Sequence, residues 1–325
     1  MNYTAILKRA WHITWRHRAL WLFGILLALF SGGGSGGGGS NVGQGLQYRL
    51  NDTDLSRLHF GPPNWAVVLA IVGIALLVLL VLIVLSVIVN YLSRAALIGM
   101  VDEIERTEHT TIASGFRTGW ERFLRLFAIA LVIDLPAAIV ILLSLGIVAL
   151  PLILLAPAIA MESAALGVIG VVLAIGLFLI WLLAVIVLAA ALSLLKEFMY
   201  RKSVLERQGV FQSIGEGYRM VRRNLRDAGL TWLILFGLGI AFGVAMIPVA
   251  LVGVALFAGP GLLGWAAARS IVVALCAAAP FFLVFVAAMV FISALWLIFN
   301  STVWTLVYRE IAAREQAAVA VPAEA

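Results

Sequence analysis

Residues 65–92 read WAVVLAIVGIALLVLLVLIVLSVIVNYL, and residues 93–122 continue SRAALIGMVDEIERTEHTTIASGFRTGWER. The first stretch has no charged side chain. As a helix it reaches about 42 Å, more than the roughly 30 Å of a bilayer's hydrocarbon core. Its apolar residues run without alternation, which argues against a transmembrane barrel strand. The second stretch is where charges gather. Outward in both directions the same alternation recurs, with apolar runs at 19–30, 65–92, 123–150, 166–195, 228–257 and 271–307. The pattern predicts an all-α polytopic transmembrane helical bundle of six spans, one integral membrane domain over residues 1–325.

Composition agrees with this reading. Hydrophobic residues make up 64% of the chain and charged ones 12%, against roughly half and a quarter in an ordinary soluble domain. The formal net charge of +6 does not point to nucleic acid, because the cations flank apolar runs, where they set orientation. Of 22 Lys and Arg, 19 lie on one side of the alternation, and only Arg49, Arg57 and Arg269 lie opposite. The positive-inside rule then predicts a multi-pass protein of a bacterial-type cytoplasmic membrane with both termini cytoplasmic. Cys276 is the one cysteine, which excludes an intramolecular disulfide and a thiolate metal cluster.

The first run is the shortest, about 18 Å as a helix. Extended back through Trp15, with Arg16 and Arg18 snorkelling to the headgroups, it becomes a workable span. A signal peptide would need an A-x-A site after the core, and none follows. Residues 31–64 open with SGGGSGGGGS, which also looks like an engineered linker, and end near Gly61-Pro62-Pro63, so a flexible external loop is predicted there. Residues 315–325 read as a disordered tail.

A related segment precedes each odd-numbered span. Ala10-Trp11-His12-Ile13-Thr14-Trp15, Gly115-Phe116-Arg117-Thr118-Gly119-Trp120 and Gly217-Tyr218-Arg219-Met220-Val221-Arg222 share a small–aromatic–basic order, 105 and 102 residues apart. In the third, Phe211, Ile214, Tyr218, Val221 and Leu225 recur at helical steps while Arg219, Arg222, Arg223 and Arg226 take other faces. Ile112, Phe116, Trp120 and Phe123 form the matching stripe in the second, and Leu7, Trp11 and Trp15 in the first. The expectation is three repeated units, each an amphipathic cytoplasmic helix, a span outward, an external turn and a span back.

The segments YRKSVLERQGVFQSIGEGYRMVRRNLRDAGL at 200–230 and AWHITWRHRALWLFG at 10–24 resemble a loose group of bacterial multi-pass families of unknown function. Relatives of that group include the membrane domain attached to some glycerophosphodiester phosphodiesterases. The resemblance covers most of the chain in layout and carries no catalytic motif. It implies a six-span, non-catalytic membrane domain; the soluble phosphodiesterase domain is absent, so its activity does not transfer.

Asp134, in LVIDLPAAIV, is the acid placed deepest in a span, and Pro136 beside it frees a backbone carbonyl. Asn90 and Asn300, 210 residues apart near the cytoplasmic ends of spans two and six, complete a candidate intramembrane polar site, their amides suited to capping exposed backbone or bonding across helices. Arg117, Arg122, Arg219, Arg222, Arg223 and Arg226 are the candidate contacts to anionic lipid, each cation near an anionic leaflet being worth about 1 kcal/mol. Glu105 and His109 share a helical face but lack a second ligand cluster, so no metal site is assigned. Ser203-x-x-Glu206 reads as a capping box, and Gly237 with Ala241 and Gly239 with Gly243 as spacings for close helix contact. Nucleotide, hydrolase and zinc-protease motifs do not occur in their required contexts.

The sequence therefore points to a membrane accessory or scaffold, with no catalytic centre and no cofactor, whose partners are anionic headgroups of the bilayer, another membrane protein or a second copy of itself. The alternative is a small transporter or channel in which Asp134, near Pro136, lines a polar path.

Overall fold

The computed structural model describes residues 1–30, 65–150 and 164–320. The loop at 31–64 with its Gly/Ser tract and the end of the expected tail lie outside them. Among the described residues all regular structure is helical: α1 (Tyr3–Arg16), α2 (Ala19–Phe30), α3 (Trp65–Thr107), α4 (Ile112–Ala149), α5 (Ala164–Leu205), α6 (Val210–Arg223), α7 (Leu225–Ala268) and α8 (Ile271–Ala320). Five helices are long and apolar enough to cross a membrane, or six if α1 and α2 count as one broken span.

The helices bury their apolar residues at one end only. Along α3, Leu69 to Leu85 are exposed on every face, whereas Leu92, Ala95, Ala96, Leu97, Met100 and Ile104 are all buried. α4, α5 and α7 repeat this division, and in each the buried end is the cation-rich one. Hydrocarbon gives apolar side chains no drive to leave it, so helices in lipid associate only by packing and hydrogen bonds. Where water returns, the hydrophobic effect resumes and the same residue types collapse into a core. Helices of 38 to 50 residues are long enough to give about 20 residues to a bilayer and leave the rest for a packed base.

In that base α2 packs between α3 and α8, α3 packs on α4, α4 on α5, and α7 on α8. Three basic segments lie against it: α1 on α8, the first turns of α4 on α3, and α6 on α5. Each presents small residues to its neighbour. A methyl group on Gly217 would stand 2.7 Å from Met199 Cγ, and one on Gly119 2.7 Å from the Leu92 carbonyl oxygen. A methyl group on Gly115 would press on Met100 and stand 2.8 Å from the Phe23 ring.

Several expectations are corrected. The helix does not run from Trp15 into the first span: α1 ends at Arg16, the chain turns by 96°, and α2 is left with 12 residues, too short to cross a bilayer alone. The elbow is held by the Trp21 indole, which donates to the Thr14 carbonyl at 2.9 Å, and by the Trp15 and Trp21 rings, edge to face at 6.2 Å. Ser203 starts no helix; it lies inside α5, and α6 begins after Gly209. A capping box does open α4, between Thr111 and Ser114. Pro260 lies within α7, so the turn to α8 is reduced to Arg269 and Ser270, with Arg269 left-handed at φ 48°. A methyl group on Gly237 or Gly243 would meet no neighbour and one on Gly239 would stand 3.5 Å from the Trp296 ring, while the tighter approach of α7 to α8 falls at Gly253 on Phe285 and at Gly264 on Ala277. α8 continues through 315–320, which carries helix past the expected start of the tail.

Candidate functional site

Asp134, on α4, is half exposed and accepts from Lys196 Nζ of α5 at 2.9 Å. The acid expected deep in a span is therefore neutralised by a cation from the neighbouring helix, just above the packed base. Asn90 Nδ2 donates to the Phe30 carbonyl, the last of α2, at 3.3 Å, and its Oδ1 accepts from Arg94 Nε at 3.1 Å. That is the backbone-capping role its amide suggested. Asn300 Oδ1 is buried and has no hydrogen-bond partner among the described residues. Asp134 and Asn90 engage different groups, the one Lys196 and the other the Phe30 carbonyl and Arg94.

The most deeply placed charge was counted in the sequence only as a topological cation. Arg201 is 1% exposed, between α5 and α8. Its Nη1 donates to the Glu197 carbonyl at 2.7 Å and to Glu197 Oε2 at 2.5 Å, and its Nη2 donates to the Ser301 carbonyl at 3.0 Å. The available signal was local: Glu197 and Arg201 are four apart, flanked by Phe198, Met199, Tyr200 and Val204, all buried. Other acids of this end also tie helices together. Arg309 donates to Asp102 at 3.0 Å, Tyr3 to Asp227 at 2.9 Å, Arg9 to Glu105 at 2.9 Å, and the Tyr308 hydroxyl to Glu206. Glu105, once weighed as a partner for His109, is thus taken by Arg9.

Around this base runs a rim of exposed aromatics and cations. Ala10, Gly115 and Gly217 are buried, and the residues that follow them, Trp11, Phe116 and Tyr218, are 58%, 52% and 50% exposed. On α6, Ser213, Gly217, Met220 and Val221 face inward, so Val221 leaves the apolar stripe and joins the core. Phe211 and Tyr218 remain as the outer row of α6, and Leu225, also exposed, opens α7. At 100° per residue, Arg222 and Arg219 follow that row around α6, while Arg226 lies on α7 beyond the break at Asn224. Arg219, Arg222, Arg223 and Arg226 are exposed and make no ion pair among the described residues. Arg117 is exposed and pairs with Glu121 at 3.1 Å.

Arg122 departs from its expected place among the lipid contacts. Gly115, Gly119, Arg122, Leu126 and Ile129 recur at four- and three-residue steps and form the buried stripe of α4. Position 122 therefore faces the base, and Arg122 Nη1 lies 3.5 Å from the Ser203 carbonyl as its donor. Among the described residues no group of three or more His, Cys, Asp or Glu has the arrangement of a metal site.

The model of a family of unknown function, DUF7544, matches residues 12–309. No curated protein and no solved structure matches the chain.

Proposed function

The chain belongs to this family of unknown function, and from that premise we propose that it is a non-catalytic scaffold of the cytoplasmic membrane that gathers anionic lipid around its packed base. Both termini and the base face the cytoplasm, and the outer halves of the helices cross the bilayer. The observation that carries this reading is the rim: three segments each bury a small residue and expose the aromatic that follows it, with arginines alongside. Aromatic rings and guanidinium groups on one face suit the boundary between acyl chains and headgroups.

The packing also supports the three-unit reading. α1 on α8, the first turns of α4 on α3, and α6 on α5 place the basic segment of each unit on the return helix of another. Gly115 approaches Met100 and Gly217 approaches Met199, while Ala10 shares its core cluster with Phe299. A ring of three units closed by the first against the third accounts for those near-regular spacings. The resemblance to membrane domains attached to some phosphodiesterases fits a scaffold, and the Asp134–Lys196 pair favours a structural role for the acid over a transport path.

Lipid analysis of the protein purified in mild detergent tests the proposal. Anionic phospholipid should be enriched over the bulk membrane, less so at high salt and less so in a variant with Arg219, Arg222, Arg223 and Arg226 all changed to Gln. Each lost cation is worth about 1 kcal/mol at an anionic leaflet. A lipid composition equal to the bulk in both proteins would refute the scaffold reading.

A further inference from the structure

The elbow between α1 and α2 gathers histidines as well as arginines. A pocket of about 30 Å³ is lined by Arg9, His12, Ile13, Arg16, His17, Ile104 and Glu108. Two of the chain's four histidines, His12 and His17, line it, and His109 lies near enough to act electrostatically on His17. Formal charge there is balanced, two arginines against two glutamates, but Arg9 is already paired, so the donors left facing the pocket are Arg16 and the imidazoles, beside the Glu108 carboxylate. From α1 come Arg9, His12 and Arg16; from the end of α3 come Glu105, which is taken by Arg9, and Glu108; beyond it stands His109. Arg16 makes no ion pair among the described residues, and Arg18 turns away over the Trp21 ring at 5.9 Å. Burial first, then the neighbouring Arg16, His109, His12 and Arg9, hold His17 below its ordinary pKa.

We propose that this elbow is a binding site for a phosphate group, with Arg16, His12 and His17 as its principal donors. A phosphate offers several acceptor oxygens and up to two negative charges, which suits one guanidinium and two imidazoles converging over the apolar floor of Ile13 and Ile104. A carboxylate is a poorer match for donors arriving from several directions. The site rests on the scaffold reading only for the source of its phosphate. With Trp11, Trp15 and Trp21 around the elbow, that source is a lipid phosphomonoester at headgroup level, and soluble phosphate shares its chemistry.

The test uses the full chain in detergent micelles with isotope-labelled histidine, whose few imidazole signals are assigned with His12→Gln and His17→Gln. Inorganic phosphate, dioctanoyl phosphatidic acid and dioctanoyl phosphatidylcholine are titrated in separately. The expected result is a saturable shift of the His12 and His17 signals with phosphatidic acid and none with phosphatidylcholine. Bound anion should raise the His17 pKa, because a nearby negative charge favours the imidazolium. Arg16→Gln, an exposed substitution that leaves the fold intact, should weaken binding at least about tenfold. Inorganic phosphate producing the same shifts as tightly would keep the site and assign it to soluble phosphate. No saturable shift with either phosphate probe, or shifts unchanged in Arg16→Gln, would overturn the proposal. The variant with Arg219, Arg222, Arg223 and Arg226 changed to Gln separates the two readings. Elbow shifts that persist there alongside lost lipid enrichment identify a site of its own, and shifts that vanish there mark general surface charge and sink it.

Discussion

Replacing Arg201 with methionine removes the most buried charge in the protein while keeping much of its volume. The consequence follows from its partners. Glu197 loses the guanidinium at 2.5 Å, and the Ser301 carbonyl loses its donor at 3.0 Å. Glu197 keeps a side chain only 20% exposed, so its carboxylate stays largely desolvated without a counter-charge. Breaking a buried pair from one side costs about 3–5 kcal/mol, whereas exchanging both partners for groups of similar size is often near neutral. Arg201→Met should therefore destabilise by that amount, and Arg201→Met with Glu197→Gln should recover most of the loss. Reversible unfolding in mixed detergent, followed by tryptophan fluorescence, measures all four corners of the cycle. A coupling energy of about 2 kcal/mol or more is expected, since contacting residues commonly couple by 0.5–3 kcal/mol. Additive costs, or a single variant as stable as wild type, would show that Arg201 and Glu197 do not act as a coupled buried pair within α5 and would refute the reasoning.

Two further outcomes follow from the base. Lys196→Gln should destabilise by about 2–3 kcal/mol, because it leaves the acid unpaired at the level of the bilayer, and Asp134→Asn by less, because the lysine left behind can snorkel; proton flux in proteoliposomes should be the same for wild type and Asp134→Asn, and a flux lost in the variant would reinstate a transport path. Gly217→Leu should destabilise by about 1–3 kcal/mol through overpacking against Met199. Gly215→Ala, whose nearest neighbour is the Arg219 side chain at 3.9 Å, should be neutral or slightly stabilising because alanine is the better helix former. Thermal unfolding of the two variants side by side separates close packing from a general intolerance of α6 to change.

Much of the architecture is written locally. The apolar stretch at 65–92 predicts a long helix because partition into hydrocarbon depends on composition over some 20 residues and on no distant partner. The same holds for the small–aromatic–basic segments: the aromatic steps at Phe116 and Trp120, or Phe211 and Tyr218, identify an outer face by helical periodicity alone. Asn90 too was legible as a backbone cap.

What the sequence could not decide was which chemically equal residue meets which neighbour. Arg117 and Arg122 are indistinguishable by type, yet one is exposed and the other buried, because α5 packs on one stripe of α4. Arg201 and the cations around it all read as positive-inside markers until α8 brings the Ser301 carbonyl to its guanidinium. Lys196 answers Asp134 across 62 residues, and the 96° turn at His17 depends on the Trp21 indole reaching back to Thr14. Chain composition by itself determined where helices form and which end carries the cations, since solvation is set residue by residue. The tertiary structure decided the elbow, its cluster of histidines and the burial of charge, since those rest on contacts between segments remote in the chain.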